Sequence, residues 1–388
     1  MTQETRFGTV IGLWAAGLGA AAQFGKVSVS YQMLAEHYGT AGARLGFAVS
    51  LVGFVGILFG VTAGLIVSRF GYRRALIAAL ALGAAVSAWQ ATLPPLGLFL
   101  ASRVIEGASH LAIVVAAPTL IALISAERHR GLTLSLWSTF FGVAFALLVW
   151  FGVPLARAWG TGALYAAHAA YMAAMAALVA WLLPRDVVGP RERVMTLGSV
   201  LRDHVRIYRS PRLSAPALGW VCYAGSWVAI LTLMPQFLPP ENRGVVIGLM
   251  PLGGIVGSMT LGVWLLRRYP AVVVIQAGFA ACLVASLAIW AFPGAGWPYL
   301  LLAFALGPVQ GASFAAIPQL NEGPDAQAQA NGALAQMGNV GTTLGTPVLA
   351  VLVTQAGIGG FLLFAIVLYS CGFLVHLLLA DRRRRSLA

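Results

Sequence analysis

Residues 64–74 read Gly64-Leu-Ile-Val-Ser-Arg69-Phe-Gly71-Tyr-Arg73-Arg74, an apolar run that stops at three arginines around a glycine. A second apolar run begins at Ala75. Two hydrophobic segments joined by so short a basic turn read as two membrane-spanning helices, because about 20 apolar residues cross a bilayer core of ~30 Å. The same alternation fills the chain. Twelve segments meet that length, near 9–34, 45–68, 75–93, 97–125, 132–156, 162–183, 213–238, 245–266, 270–292, 298–320, 331–355 and 360–380. The first run is too long, and the rest of the chain too hydrophobic, for a cleaved signal peptide.

Composition agrees. Of 388 residues, 60% are hydrophobic and 9% charged, where a soluble chain carries about 25% charge. A water-soluble enzyme, a nucleic-acid-binding domain and a disordered scaffold are excluded. The net charge of +13 is explained by where the arginines fall. With the N-terminus inside, 19 arginines face the cytoplasm: Arg6, Arg69, Arg73, Arg74, Arg128, Arg130, Arg185, Arg191, Arg193, Arg202, Arg206, Arg209, Arg212, Arg267, Arg268 and Arg382 to Arg385. Only Arg44, Arg157 and Arg243 fall outside. That bias places both termini in the cytoplasm, and contact with anionic headgroups accounts for the basic balance. Cys222, Cys282 and Cys371 lie far apart in apolar runs and read as small buried hydrophobes.

One long polar interruption, Pro184 to Pro211, divides six spans from six. It sets the domains at 1–183, a linker at 184–212, and 213–388 with a basic tail. Within the linker, Thr196 to Tyr208 suits a basic amphipathic helix on the membrane surface; a plain tether is the alternative. Internal similarity supports a repeat. Gly64 to Arg69 can be laid on Gly262-Val-Trp-Leu-Leu-Arg267, and Glu106-Gly-Ala-Ser-His110 on Gln310-Gly-Ala-Ser-Phe314. Gly131 and Gly332 each open a helix at matching positions. Parallel six-helix repeats are the arrangement of a secondary transporter with its site at the repeat interface.

The stretch Gly64 to Arg74 resembles the loop signature of the major facilitator superfamily, Gly-x-Leu-Ala-Asp-Arg-x-Gly-Arg-Arg, and Arg103-Val-Ile-Glu-Gly107 is similar to its Arg-x-x-x-Gly motif. The resemblance implies an all-α integral membrane fold with 12 transmembrane helices in two pseudo-symmetric six-helix bundles. It also implies alternating access, with Arg69, Gly71, Arg73 and Arg74 at a cytoplasmic gate. Two departures matter. The superfamily's Asp falls on Ser68, and its first Arg after the glycine on Tyr72, which weakens the usual charge relay. The Gly-Pro-x-x-Gly-Gly motif of drug antiporters is absent from the fifth span, where only Gly152-Val-Pro154 stands.

Ionisable residues inside a span cost several kcal/mol unless paired or hydrated, and so mark function. Lys26 is the only lysine, and Gln23 and Ser30 share its helical face. Arg103, Glu106 and His110 share one face of the fourth span. The superfamily lines its central cavity with the first, fourth, seventh and tenth spans, which would set Lys26 and Glu106 at one level as a pair in a hydrated pocket. The competing readings are that Lys26 snorkels to the outer interface, and that Arg103 and Glu106 only neutralise each other. Proton coupling is assigned to Glu106 and His110, while His168 and His376 are read as structural.

The second half offers neutral cavity groups: Tyr223, Ser226, Trp227, Gln310, Ser313, Gln336, Asn339 and Thr343; for the stripe Gln336, Asn339 and Thr343, hydrogen bonding between packed spans is the competing reading. The substrate-binding set is therefore Lys26, Gln23, Arg103, Tyr223, Trp227, Gln310 and Asn339. Two cations against one carboxylate favour a small organic anion. The expectation is a monomeric, multi-pass, proton-coupled transporter of the cell inner membrane, with no cofactor, metal, catalytic residue or nucleic-acid partner. Proton-driven efflux of drugs or hydrophobic cations is the alternative, and a non-transporting membrane sensor is the alternative of another class.

Overall fold

The computed structural model describes residues 4–39, 43–184 and 197–385. Arg185, Arg191 and Arg193 of the expected linker lie outside these residues.

Among the described residues, sixteen α-helices succeed one another: α1 Phe7–Val29, α2 Tyr31–Tyr38, α3 Ala43–Phe70, α4 Tyr72–Gln90, α5 Leu96–Ile124, α6 Glu127–Ser138, α7 Phe140–Leu147, α8 Val153–Trp159, α9 Thr161–Leu182, α10 Leu197–Arg209, α11 Ser214–Leu233, α12 Pro240–Gly257, α13 Val263–Leu266, α14 Ala271–Ala291, α15 Trp297–Leu320 and α16 Pro324–Arg385. A π-helical turn at Leu148–Gly152 joins α7 to α8, and another at Ser258–Gly262 joins α12 to α13. Helices dominate because a lipid-embedded backbone must satisfy its hydrogen bonds within its own segment. Among the described residues, nine helices are long and apolar enough to cross a membrane, or ten if the bent pair Leu51–Gly60 and Thr62–Phe70 is one span. The expected first span is divided into α1 and α2, and the last two expected spans are the two helical arms of α16, which meet at a kink at Gly357, within the break expected between 355 and 360.

Turn chemistry sets the ends. Gly71 has φ +91° between α3 and α4, a conformation that favours glycine. Pro95, Pro239 and Pro270 stand just before α5, α12 and α14, where an imino acid without an N–H costs nothing. Trp89, Trp159, Trp181 and Trp297 are all exposed near helix ends, as interface anchors should be. Cys222 and Cys282 are buried, but Cys371 is exposed, so it is not the buried hydrophobe its apolar neighbours suggested. Apolar sequence cannot separate a core face from a lipid face.

The buried cores show how the two halves meet. One cluster joins Leu13, Leu76, Ile113 and Trp137 to Phe314, Ile317, Ala328 and Leu334 of the second half. A second, containing Ile230, Phe279, Leu302 and Tyr369, belongs to the second half alone. A third, with Val27, Leu34, Phe99 and Tyr165, belongs to the first half alone. The halves therefore share a core at the end carrying the Arg69–Arg74 turn and separate towards the end carrying Leu34 and Phe99. Small residues permit the close approach. A Cβ on Gly60 would meet the Gln336 backbone nitrogen at 2.9 Å, and one on Gly64 the Gln329 Cα at 2.9 Å. The two glycines singled out as repeat partners both face the opposite half: Gly131 lies against Leu266 and Gly332 against the Gly60 carbonyl.

Candidate functional site

Small side chains on α1 and α4 bring polar groups of four helices together. A Cβ on Gly83 would lie 2.8 Å from both Gln23 Nε2 and Ser109 Oγ, so α4 must be bare there for Gln23 to donate to Ser109 at 2.9 Å. One turn further along α1, Lys26 Nζ donates to Glu106 Oε1 at 2.6 Å and to Ser87 Oγ at 2.7 Å. Glu106 Oε2 accepts from Arg103 Nη1 and, at 2.9 Å, from Gln90 Nε2. Arg103 also donates its Nε to the Ala48 carbonyl at 2.7 Å. Lys26, Arg103 and Glu106 are all 0% exposed.

A chain of proton donors runs away from Lys26. His168 Nε2 lies 2.9 Å from the Gly19 carbonyl, which can only accept, so Nε2 carries the hydrogen and Nδ1 is the acceptor. Ser87 Oγ, 2.8 Å from His168 Nδ1, therefore donates there while accepting from Lys26. Lys26 Nζ is itself 3.3 Å from that nitrogen and 5.0 Å from the Tyr165 ring centre. Three fully buried charges sum to +1, and Arg103 Nη2, Gln90 Oε1 and Gln23 Oε1 are buried without a hydrogen-bond partner. Removing water from charges is costly unless each is paired. This cluster is paired but not balanced.

Several expectations change here. Lys26 and Glu106 do meet, but within the bundle of α1, α4, α5 and α9, sealed from solvent rather than in a hydrated pocket. The close packing allowed by Gly19, Gly83 and their alanine neighbours is the reason. Lys26 does not snorkel, and Arg103 and Glu106 do not form an isolated pair. His168 is not a bystander: it ends the Lys26–Ser87 chain. His110 stands apart from it. Its Nδ1 donates to the Ala20 carbonyl at 2.9 Å, and its ring packs edge-on against Phe24 with centres 4.9 Å apart. Ser87, Gln90 and Tyr165 escape a reading of faces on single helices, and His168 reads there only as structural, because α4 and α9 carry no charge at these positions.

In the second half, Tyr223 stacks on Trp220 with ring centres 4.5 Å apart, and Trp227 lies parallel to Tyr223 at 6.4 Å. Trp220, not singled out from sequence, also meets Phe314 edge-on at 5.2 Å. Gln310 and Asn339 are placed between the halves. Gln310 Nε2 donates to the Ser138 carbonyl, and the Asn339 side chain fills the space beside Gly53 and Gly56. Gln336 Nε2 donates to the Ile57 carbonyl at 2.5 Å, and Asn331 Nδ2 to Thr119 Oγ1 at 2.8 Å.

At the basic turn, Arg73 donates to the carbonyls of Leu183 and Ala180 at 2.9 and 2.8 Å, capping the C-terminal end of α9. Tyr72, standing where the family motif has an arginine, donates to the Pro324 carbonyl at 2.9 Å and so ties α4 to α16. Arg69 has a buried Nη1 without a hydrogen-bond partner, and Arg74 is exposed on the first turn of α4.

Long apolar helices, glycine-lined contacts between halves and a charge cluster inside one of them define a polytopic membrane protein of transporter architecture. The chain belongs to the major facilitator superfamily, whose model matches residues 11–323; this is a family of transporters rather than enzymes. The Inner membrane transport protein YajR of Escherichia coli is 26% identical over 186 residues, covering 47% of this chain and 40% of that protein. The matched stretch thus spans about two-fifths of that relative. Among solved structures, the fold matches FucP, the Escherichia coli fucose:proton symporter, in its outward conformation, with a TM-score of 0.76 at 17% identity over 96% of this chain and 98% of that one. It matches the human organic anion transporter MFSD10 with a TM-score of 0.75 at 17% identity over 95% and 98%.

Proposed function

We propose that this chain is a secondary active transporter that moves a small organic anion across the cell inner membrane by alternating access, coupled to protons. The reading includes 12 spans with both termini cytoplasmic, bundles at 1–183 and 213–388 joined by the linker 184–212, and a monomeric working unit. The observation that carries it is the sealed Lys26–Glu106–Arg103 cluster with its excess of one positive charge. Such a charge inside a transporter half attracts an anion, and Glu106 is the one carboxylate of the cluster on which a proton can act.

The shared core at one end and separate cores at the other support a state closed on the cytoplasmic side. Lys26 and Arg103 are held by Glu106, so substrate contact requires α1 and α5 to part. A proton arriving on Glu106 cancels its charge, weakens both ion pairs and releases a cation for the substrate. Gln23 and the Tyr223 and Trp227 rings supply hydrogen bonding and aromatic contact; Gln310 and Asn339 hold the halves together. His110, with its hydrogen on Nδ1, leaves Nε2 free to receive a proton. Arg69, Gly71, Arg73 and Arg74 frame the cytoplasmic gate.

A screen for thermal stabilisation by mono- and dicarboxylates, amines and drugs tests the substrate class. The expected result is a carboxylate that stabilises wild type and not Lys26→Met, and full binding by Lys26→Met overturns the anion reading. With that solute in proteoliposomes, Glu106→Gln loses uphill uptake but retains exchange. Equal loss of both rejects the coupling role. Stabilisation by cations or lipophilic drugs alone would favour efflux, and no flux of any compound would favour a sensor.

A further inference from the structure

The linker helix α10 has two faces with different partners. Ile207 is fully buried in the core shared by the halves. Tyr208 donates its hydroxyl to Gln336 Oε1 at 2.6 Å, and the amide of the same Gln336 donates to the Ile57 carbonyl. A single side chain thus links α10, α16 and α3. Arg206 adds a bond to Gln329 Oε1 at 3.0 Å, and His204 packs against Tyr208 with ring centres 5.5 Å apart. The inner face is bound to the seam between the halves.

The outer face is apolar and basic. Leu201 is 60% exposed and Val205 49%, one turn apart on the helix, and Arg202, Arg209 and Arg212 beside them are exposed. Leucine and valine in that setting are unexplained by contact with water. The depth of the helix supplies the explanation. Pro211, two residues past its end, accepts from Arg383 Nη1 at 2.8 Å. Arg383 lies in the run of four arginines that ends the candidate span Val351–Arg385, the residue type that marks the headgroup level, and Arg382, Arg384 and Arg385 are exposed beside it. At that level the abundant surface that takes apolar side chains between arginines is the headgroup layer.

We propose that α10 is a lipid-sensing latch: its outer face binds anionic headgroups of the bilayer, and its inner face holds α3 and α16 together through Tyr208 and Gln336. The latch part rests on the alternating-access reading, whereas the lipid part does not. Each arginine near an anionic surface strengthens association about fivefold.

The test uses the full chain with Val205→Cys in a Cys371→Ser background, carrying a nitroxide, in vesicles of zwitterionic lipid with or without phosphatidylglycerol. The nitroxide is expected to leave water for the interface when phosphatidylglycerol is present. Arg202→Gln with Arg209→Gln lowers the ratio of bound to free populations by about 25-fold, two such arginine contributions. A nitroxide equally wet in both vesicles overturns lipid binding, as does burial that depends on protein density, which would indicate a second copy. Hydrogen exchange over residues 325–340 reads the latch. Phosphatidylglycerol should slow it in wild type and have no effect in Tyr208→Phe. Lipid binding without that slowing overturns the latch while leaving the anchor.

Discussion

Replacing Glu106 by Gln keeps the shape of the side chain and removes the anion between Lys26 and Arg103. What remains is two buried cations facing an amide. Breaking a buried ion pair from one side costs about 3–5 kcal/mol, and Glu106 belongs to two such pairs. Gln still accepts hydrogen bonds, so the expected loss is about 3–5 kcal/mol for the variant rather than twice that. Lys26→Met should cost less, about 1–3 kcal/mol, because Arg103 and Glu106 remain as a balanced pair. Adding Lys26→Met to Glu106→Gln should then cost little further, a coupling of about 1–3 kcal/mol, because one buried cation is left unpaired instead of two. Unfolding by sodium dodecyl sulfate in mixed micelles, followed by circular dichroism, measures all four proteins. Equal losses in the two single variants, or losses that simply add in the double, would falsify the charge accounting.

Three more substitutions probe the packing. Gly60→Val sets side-chain atoms against the Gln336 backbone, so the seam should open, and a cysteine at Asn331 should label faster with a membrane-impermeant maleimide; unchanged labelling rejects the seam as a closure. His168→Leu removes the acceptor of Ser87, and should cost about 1–3 kcal/mol, more than Thr92→Val on the exposed turn after α4; equal effects would show that the Ser87–His168 contact does not matter. Gly83→Ala crowds both Gln23 and Ser109 and should destabilise by about 1–3 kcal/mol, as overpacking does, whereas Gly97→Ala, with open space around it, should be neutral in the same unfolding titration.

The hydropathy pattern carries most of the helical architecture, because spanning length and backbone self-satisfaction leave few alternatives. Its failures are local. The first span reads as one segment, 9–34, yet α1 stops at Val29 and α2 starts at Tyr31, with Ser30 between them. The break expected between 355 and 360, by contrast, is present and falls on Gly357. At the site, charge is visible in the sequence and company is not. Lys26, Arg103 and Glu106 stand out against an apolar background, but Ser87, Gln90 and His168 gain meaning only from helices packing across the bundle. Gln310 and Asn339, expected to line the cavity, sit at the contact between halves, where Gln310 donates to the Ser138 carbonyl and Asn339 lies beside Gly53 and Gly56. Tyr72 departs from the family motif, and its bond to Pro324 shows what the departure does locally.

Gly357 has φ 56° and ψ −133°, the single non-helical residue within α16, and its conformation excludes residues with a side chain. The two arms of that helix therefore share a single-residue pivot. The arm carrying Gln336 and Asn331 and the arm carrying Tyr369 meet at that residue, and the second arm ends on the Pro211 carbonyl through Arg383. Like a hairpin, the last sixth of the chain starts and ends at the end of the molecule that carries the Arg69–Arg74 turn, with Gly357 as its far elbow.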